Sequence, residues 1–152
     1  MTPTTQRQLN VLLRKATSFH THLGPFLVLG LKAGLIALRA LKSRQDDPQL
    51  HVEVELPYRV PISCLLDGIQ FSTGCTIGNK RLTFKDSTNI TLAFRGQDAT
   101  VRLTLKEDSL EILHPLFDGQ HLGDEQLQQL AHILAVLNED RLFSIIKRSV
   151  NR

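Results

Sequence analysis

Tryptophan is absent from the chain, tyrosine and methionine occur once each, and only two cysteines stand among its 152 residues. Two cysteines outside any C-x-x-C pair build neither a disulfide framework nor a zinc ribbon, so an apolar core must hold the fold, and a reducing, cytoplasmic setting is expected. Aromatic side chains are scarce, seven Phe and one Tyr, and no continuous basic run occurs. Little is therefore available for stacking on bases, and no nucleic-acid partner is expected. The net charge of +3 is spread over Arg14-Lys15, Arg39 to Arg44, Lys80-Arg81 and Lys147-Arg148, which reads as a solvated basic surface. No G-x-x-x-x-G-K-S/T order is present, which excludes a nucleotide-binding P-loop. The N-terminal residues have no apolar core behind a basic start, so no signal peptide is expected.

What is present is an ordinary globular composition, 41% hydrophobic and 22% charged, which predicts one domain over residues 1–152. Thr4 or Thr5 can cap a first helix carrying Leu9, Leu12, Leu13 and Ala16 to about Ser18. Gly24 then serves as N-cap of a second helix and Pro25 takes its first position, where no backbone donor is needed. From Phe26 to Leu41 the chain is apolar nearly all round. Its length and the charges of Lys32 and Arg39 argue for a buried central helix rather than a membrane span. Gly30 and Gly34, one turn apart, allow another element to approach closely.

Leu50 to Leu56 alternates as a half-buried strand, and Arg81 to Lys85, Asn89 to Arg95 and Thr100 to Lys106 read as three more. Leu110 to Leu113 is expected to add a short strand before the His114-Pro115 break. Asp124 caps a long helix through Leu137, and a final helix is expected over Glu139 to Val150. This order predicts an α+β fold, a mostly antiparallel sheet covered by helices. The apolar helix surface exceeds what one small sheet covers, which motivates an expected homodimer.

The chemistry concentrates between Ser63 and Leu82, where both cysteines lie. Pro61 discourages helix before it, Ser63 is a good N-cap and Gly74 suits a left-handed C-cap, so Cys64 falls in the first turn and Cys75 just past the last. A thiol beside unpaired N–H groups and the positive helix end is expected to ionise below the free value of about 8.5. Cys64 as nucleophile, with His22 or His20 as base, is one enzymatic reading. Asp67, one turn after Cys64, can orient a histidine or a metal-bound water. In the loop after Cys75, Gly78 and Lys80 are candidate contacts for the anionic group of a small-molecule ligand. An ordinary turn into the next strand accounts for that loop as well. Likewise, buried apolar thiols and capping histidines account for the other residues.

Three segments together, F-H-T-H-L-G-P-F from Phe19, C-L-L-D-G-I-Q from Cys64 and T-G-C-T-I-G-N from Thr73, resemble the FmdE family, named for a component of formylmethanofuran dehydrogenase. A fainter likeness lies at Asp140-Arg141-Leu142-Phe143. The resemblance implies a site in which His20, His22, Cys64 and Cys75 hold zinc or another late transition metal, in a redox or one-carbon setting. It also exposes a departure: Gly24 stands where the family pattern has a cysteine. No cysteine follows Cys75 to supply the C-terminal metal ribbon that family members often carry. The alternative is a small-molecule-binding or assembly protein whose metal site is degenerate.

Overall fold

An α-helix that is apolar all round must be sheathed, and the fold is built as a sheath for α2 (Pro25–Leu41). The computed structural model describes residues 3–150, with side chains from Gln6 onward. α1 (Pro3–His20) and α2 form a helical hairpin, followed by β1 (His51–Leu56), a 3-10 turn (Ile62–Cys64) and α3 (Leu65–Thr73). Next come β2 (Leu82–Asp86), β3 (Thr91–Arg95) and β4 (Ala99–Leu105). The chain closes with α4 (Glu107–Phe117), α5 (Asp124–Val136), α6 (Glu139–Leu142) and β5 (Phe143–Ser149). The five strands make one sheet in the order β2-β1-β3-β4-β5, with β1 and β2 parallel and the other three ladders antiparallel. This is the expected α+β architecture.

The sheet alternates as a one-sided sheet must. Val52, Val54 and Leu56 of β1, Leu92 and Phe94 of β3, and Val101 and Leu103 of β4 are buried beneath the helices. On the opposite face Glu53 pairs with Arg95 and Glu55 with Lys85 across neighbouring strands. α2 lies on the buried face with α1, α3, α5 and β4 packed around it. The apolar surplus that motivates a homodimer is thus largely covered within one chain. Among the described residues no helix is long and apolar enough to cross a membrane.

Gly24 is the N-cap of α2 (φ −135°, ψ 165°) and Pro25 its first residue, as expected. Gly30 and Gly34 receive α3. A Cβ on Gly30 would lie 2.2 Å from the Leu65 carbonyl oxygen, and one on Gly34 would lie 1.8 Å from Ser72 Oγ. Lys32, fully buried, points the other way. Its Nζ donates to the carbonyls of Leu134 at 2.8 Å, Ala135 at 3.2 Å and Leu137 at 2.5 Å, closing the C-terminal end of α5. Burial pushes its ammonium down from 10.5 to about 8, against the pull of the Glu139 carboxylate.

Five local expectations are corrected. The segment Leu110 to Leu113 is helical, inside α4, because Glu107 and Asp108 favour a helix start there and Leu113 and Leu116 face the core. Pro115 sits inside that helix instead of breaking it. Glu139 to Val150 is only helical to Leu142. Phe143–Ser149 then adds an antiparallel edge strand to β4, pairing Ile145 with Leu103 and Lys147 with Val101. The N-cap of α5 is Gly123, with Gln126 Oε1 accepting its N–H at 3.0 Å, and Asp124 is the first helical residue. α1 already contains Thr4 and Thr5 and runs two residues past Ser18, while the side chains of the two threonines lie outside the described residues.

Candidate functional site

The end of α1, the link to α2 and the first turn of α3 meet in one place. α1 ends because Thr21 adopts a left-handed backbone (φ 79°) while its N–H still closes on the Thr17 carbonyl at 2.8 Å. That turn leaves His20, the last helical residue, aimed at α3. Its Nδ1 donates to Oδ2 of Asp67 at 2.6 Å, and the two side chains are 11% and 32% exposed. In the neutral ring this fixes the proton on Nδ1 and leaves the Nε2 lone pair as the reactive atom. His22, exposed in the link, sets its ring 4.8 Å from that of His20.

The second oxygen of Asp67 accepts from Gln70 Nε2 at 3.3 Å, and Gln70 Oε1 in turn accepts the Ile77 N–H at 3.1 Å. One turn of α3 therefore ties the His20 link to the loop after Cys75. Sequence patterns alone do not single out Gln70, though it closes the D-G-I-Q segment one helical turn after Asp67, a spacing that puts both on one face.

The loop from Thr76 to Arg81 spends its donors on itself. Asn79 Oδ1 accepts the N–H groups of Thr76 at 2.9 Å and Arg81 at 3.0 Å, and Thr76 Oγ1 accepts that of Asn79 at 3.0 Å. Lys80 has a left-handed backbone (φ 63°) with its N–H on Ile77. An anion cradle needs such N–H groups free, and most of those flanking Gly78 and Lys80 are already paired. Asn79, which organises the turn, is the residue that reading Gly78 and Lys80 overlooked.

The two thiols part company. Cys75 is fully buried, and its Sγ donates to the Leu50 carbonyl at 3.3 Å in the core. Burial raises its pKa. Cys64 is half-buried and occupies the N-cap position of α3, one residue later than the expected Ser63 cap. Here the expectation of a depressed thiol is overturned: burial first, and then the Asp67 carboxylate, push the Cys64 thiol up. The 3-10 turn explains why the helix end gives little help. The N–H groups of Ser63, Cys64 and Leu65 are taken by the carbonyls of Arg59, Pro61 and Ile62, and the help the thiol receives from the Cys64 backbone is outweighed by burial and Asp67. Alkylation at pH 7 should accordingly be slower at Cys64 than at free cysteine and should accelerate above pH 9, while Cys75 should label only on unfolding. Mass-resolved iodoacetamide labelling checks this, and a Cys64 rate above that of free cysteine at pH 7 would refute it.

Among the described residues no three His, Cys, Asp or Glu side chains converge closely enough to hold a metal ion. His20, His22 and Asp67 gather at the helix ends while Cys75 lies inside the core. This chemistry also lies apart from a cleft of about 1040 Å³ that runs between Pro57–Arg59, the turn after β2, and Phe117, and contains none of these residues.

The model of the FmdE family, described as molybdenum formylmethanofuran dehydrogenase operon, matches residues 19–148. A protein of Archaeoglobus fulgidus named as a probable S-adenosyl-L-methionine-binding protein is 29% identical over 137 residues, covering 83% of this chain. The chain spans 37% of the length of that relative. The crystal structure of a tungsten formylmethanofuran dehydrogenase FmdE-like protein from Syntrophus aciditrophicus matches with a TM-score of 0.67 at 18% identity, over 94% of this chain and 73% of that one. At that identity the likeness is one of fold.

Proposed function

The chain belongs to the FmdE family, and from that premise we propose that it is a ligand-binding member whose Cys/His metal site has come apart. One observation carries the reading: the Cys75 thiol is spent on the Leu50 carbonyl in the core while His20 is held by Asp67 at the surface end of α3. Zinc or another late transition metal needs two to four donors at tetrahedral angles. Gly24 offers none, Cys75 is turned into the core, and His20 with His22 makes at most a weak bidentate pair. The donor set thus does not fit a resident metal. His20 instead presents an oriented Nε2 that can accept a proton or a hydrogen bond from a ligand. The family description supports a redox or one-carbon setting for that ligand. The name of the Archaeoglobus relative makes S-adenosyl-L-methionine the first molecule to offer, although that relative extends well beyond the matched segment.

The test exploits Gly24. A Cβ added there meets nothing within 4 Å, and its extended φ suits any residue, so Gly24→Cys can return the missing thiol without strain. We expect the wild type to be free of stoichiometric zinc after gel filtration. Gly24→Cys should bind zinc at least about tenfold more tightly, the lower end of what even an outer-shell partner contributes. A calorimetric titration of metal-free wild type with S-adenosyl-L-methionine, repeated in His20→Asn, examines the ligand side. Wild type that retains one zinc per chain, and loses it in Cys64→Ser and Cys75→Ser, would restore the four-donor site and end this reading.

A further inference from the structure

A second feature lies away from the His20 site. The first 45 residues carry seven Lys and Arg side chains and no Asp or Glu before Asp46. The fold gathers part of that charge around one groove. Between α1, the C-terminal half of α2 and the loop after it runs an open groove of about 680 Å³, lined by Arg7, Lys15, Arg39 and Arg44. Val11, Leu12, Leu35 and Leu38 provide its apolar surface.

Of the four neutral polar side chains lining this groove, all but Gln8 are already engaged. Ser43 Oγ donates to Asp47 Oδ2 at 2.7 Å, Gln45 Nε2 to the Phe71 carbonyl at 2.7 Å, and Ser72 Oγ to the Gly68 carbonyl at 2.9 Å. Arg39 is paired with Glu139. Arg7, Lys15 and Arg44 are exposed, and among the described residues none of them makes an ion pair. Arg44 lies near the Asp47 carboxylate, whose pKa it helps hold down, so what the groove offers an occupant is aliphatic surface and positive charge that is unspent at Arg7 and Lys15. That combination selects an anion with an apolar body and disfavours a neutral sugar or a cation.

The apolar lining decides between a small molecule and a peptide: it is short, Val11 and Leu12 on α1 with Leu35 and Leu38 inside one turn of α2, which suits a single aliphatic chain, whereas a docked helix is read through contacts spaced over two turns or more. We propose that the groove binds a free, single-chain aliphatic anion, a carboxylate or phosphate monoester, with its tail on Leu12, Leu35 and Leu38 and its head among Arg7, Lys15 and Arg44.

Isothermal titration of the full chain with decyl phosphate and decanoate, below their micellar concentrations, tests this. One molecule per chain is expected, with weaker binding at higher salt, and no saturable binding of inorganic phosphate or decyltrimethylammonium. The double variant Lys15→Gln, Arg44→Gln should weaken decyl phosphate about tenfold, and Val11→Asp should weaken it through the apolar wall. All three positions are exposed, and circular dichroism verifies that the variants fold. Equal binding of the cationic amphiphile, or affinity unchanged in the double variant, would overturn the proposal. So would binding confined to phosphatidylglycerol vesicles, to duplex DNA or to an acidic peptide, since the face would then recognise charge alone.

Discussion

Replacing Lys32 with methionine is expected to destabilise the protein by about 2–4 kcal/mol at pH 7, measured by urea unfolding. Methionine fills much of the same volume but donates nothing, so the carbonyls of Leu134, Ala135 and Leu137 lose the one side chain that closes the end of α5. Glu139 is left worse off as well. Its Oε1 keeps Arg39, but its Oε2 is already buried without a hydrogen-bond partner and would lose the nearby ammonium. Against this stands the relief of a buried charge, because methionine removes an ammonium whose pKa has fallen from 10.5 to about 8. The two effects separate by pH. Between about 8 and 10.5 the unfolded chain binds a proton on Lys32 that the folded chain has released, so this group makes stability rise with pH across that window. The wild type should show that rise and Lys32→Met should lack it. A variant with full stability at pH 7 and the wild-type slope would mean that Lys32 contributes nothing to the α5 end.

Lys32 also illustrates what the sequence could and could not convey. A lysine in the middle of an otherwise apolar helix argued against a membrane span, and that much followed from hydropathy. That its charge would be buried against carbonyls more than 100 residues away is a tertiary fact with no local trace. The strands β1 and β4 were legible from period-two alternation, because one face of the sheet is buried and the other solvated, and β2 and β3 from the turn residues that separate them. β5 was not. Only Phe143 of that strand is fully buried, and an edge strand with exposed Ile145 and Ile146 carries no clean alternation to set against a helical spacing. α4 is hidden for another reason: Pro115 reads as a breaker, yet it lies in the last turn, where only one more residue remains helical after Leu116.

The site was partly legible in the same sense. Gly24-Pro25 fixed where α2 begins, and the position of Asp67 one turn into α3 made it a candidate partner for a histidine. The acidity of Cys64 was misjudged because a helix N-terminus was credited with free donors. The preceding Ile62–Cys64 turn takes several of those donors, and burial and the Asp67 carboxylate, both tertiary effects, outweigh the one backbone bond the thiol receives. The position of Cys75 in the core depends on packing against Leu50, a contact 25 residues away that spacing does not encode.

What holds Asp67 against His20 is the contact between α2 and α3, and Gly30→Ala is expected to break it. An added Cβ at Gly30 would stand 2.2 Å from the Leu65 carbonyl oxygen and 2.9 Å from the Cα of Gly68, both backbone atoms that cannot rotate away. Alanine improves the propensity of an exposed helix position by up to about 1 kcal/mol relative to glycine. Overpacking of a closed interface costs about 1–3 kcal/mol and occasionally more, and a clash with backbone belongs at the upper end. The net expectation is a loss of about 1–3 kcal/mol, measured by thermal or urea unfolding. Gly24→Ala, at an open position on the same helix, should change stability by less than about 0.5 kcal/mol. A second readout links the packing to the site. If α3 retreats as a unit from α2, the Asp67 carboxylate leaves Nδ1 of His20, and the ring ¹⁵N resonances of His20 should move while those of the distant His132 stay in place. Gly30→Ala with wild-type stability and unmoved His20 resonances would mean that the helices tolerate a methyl between them, and that some element other than this contact positions the His20–Asp67 pair.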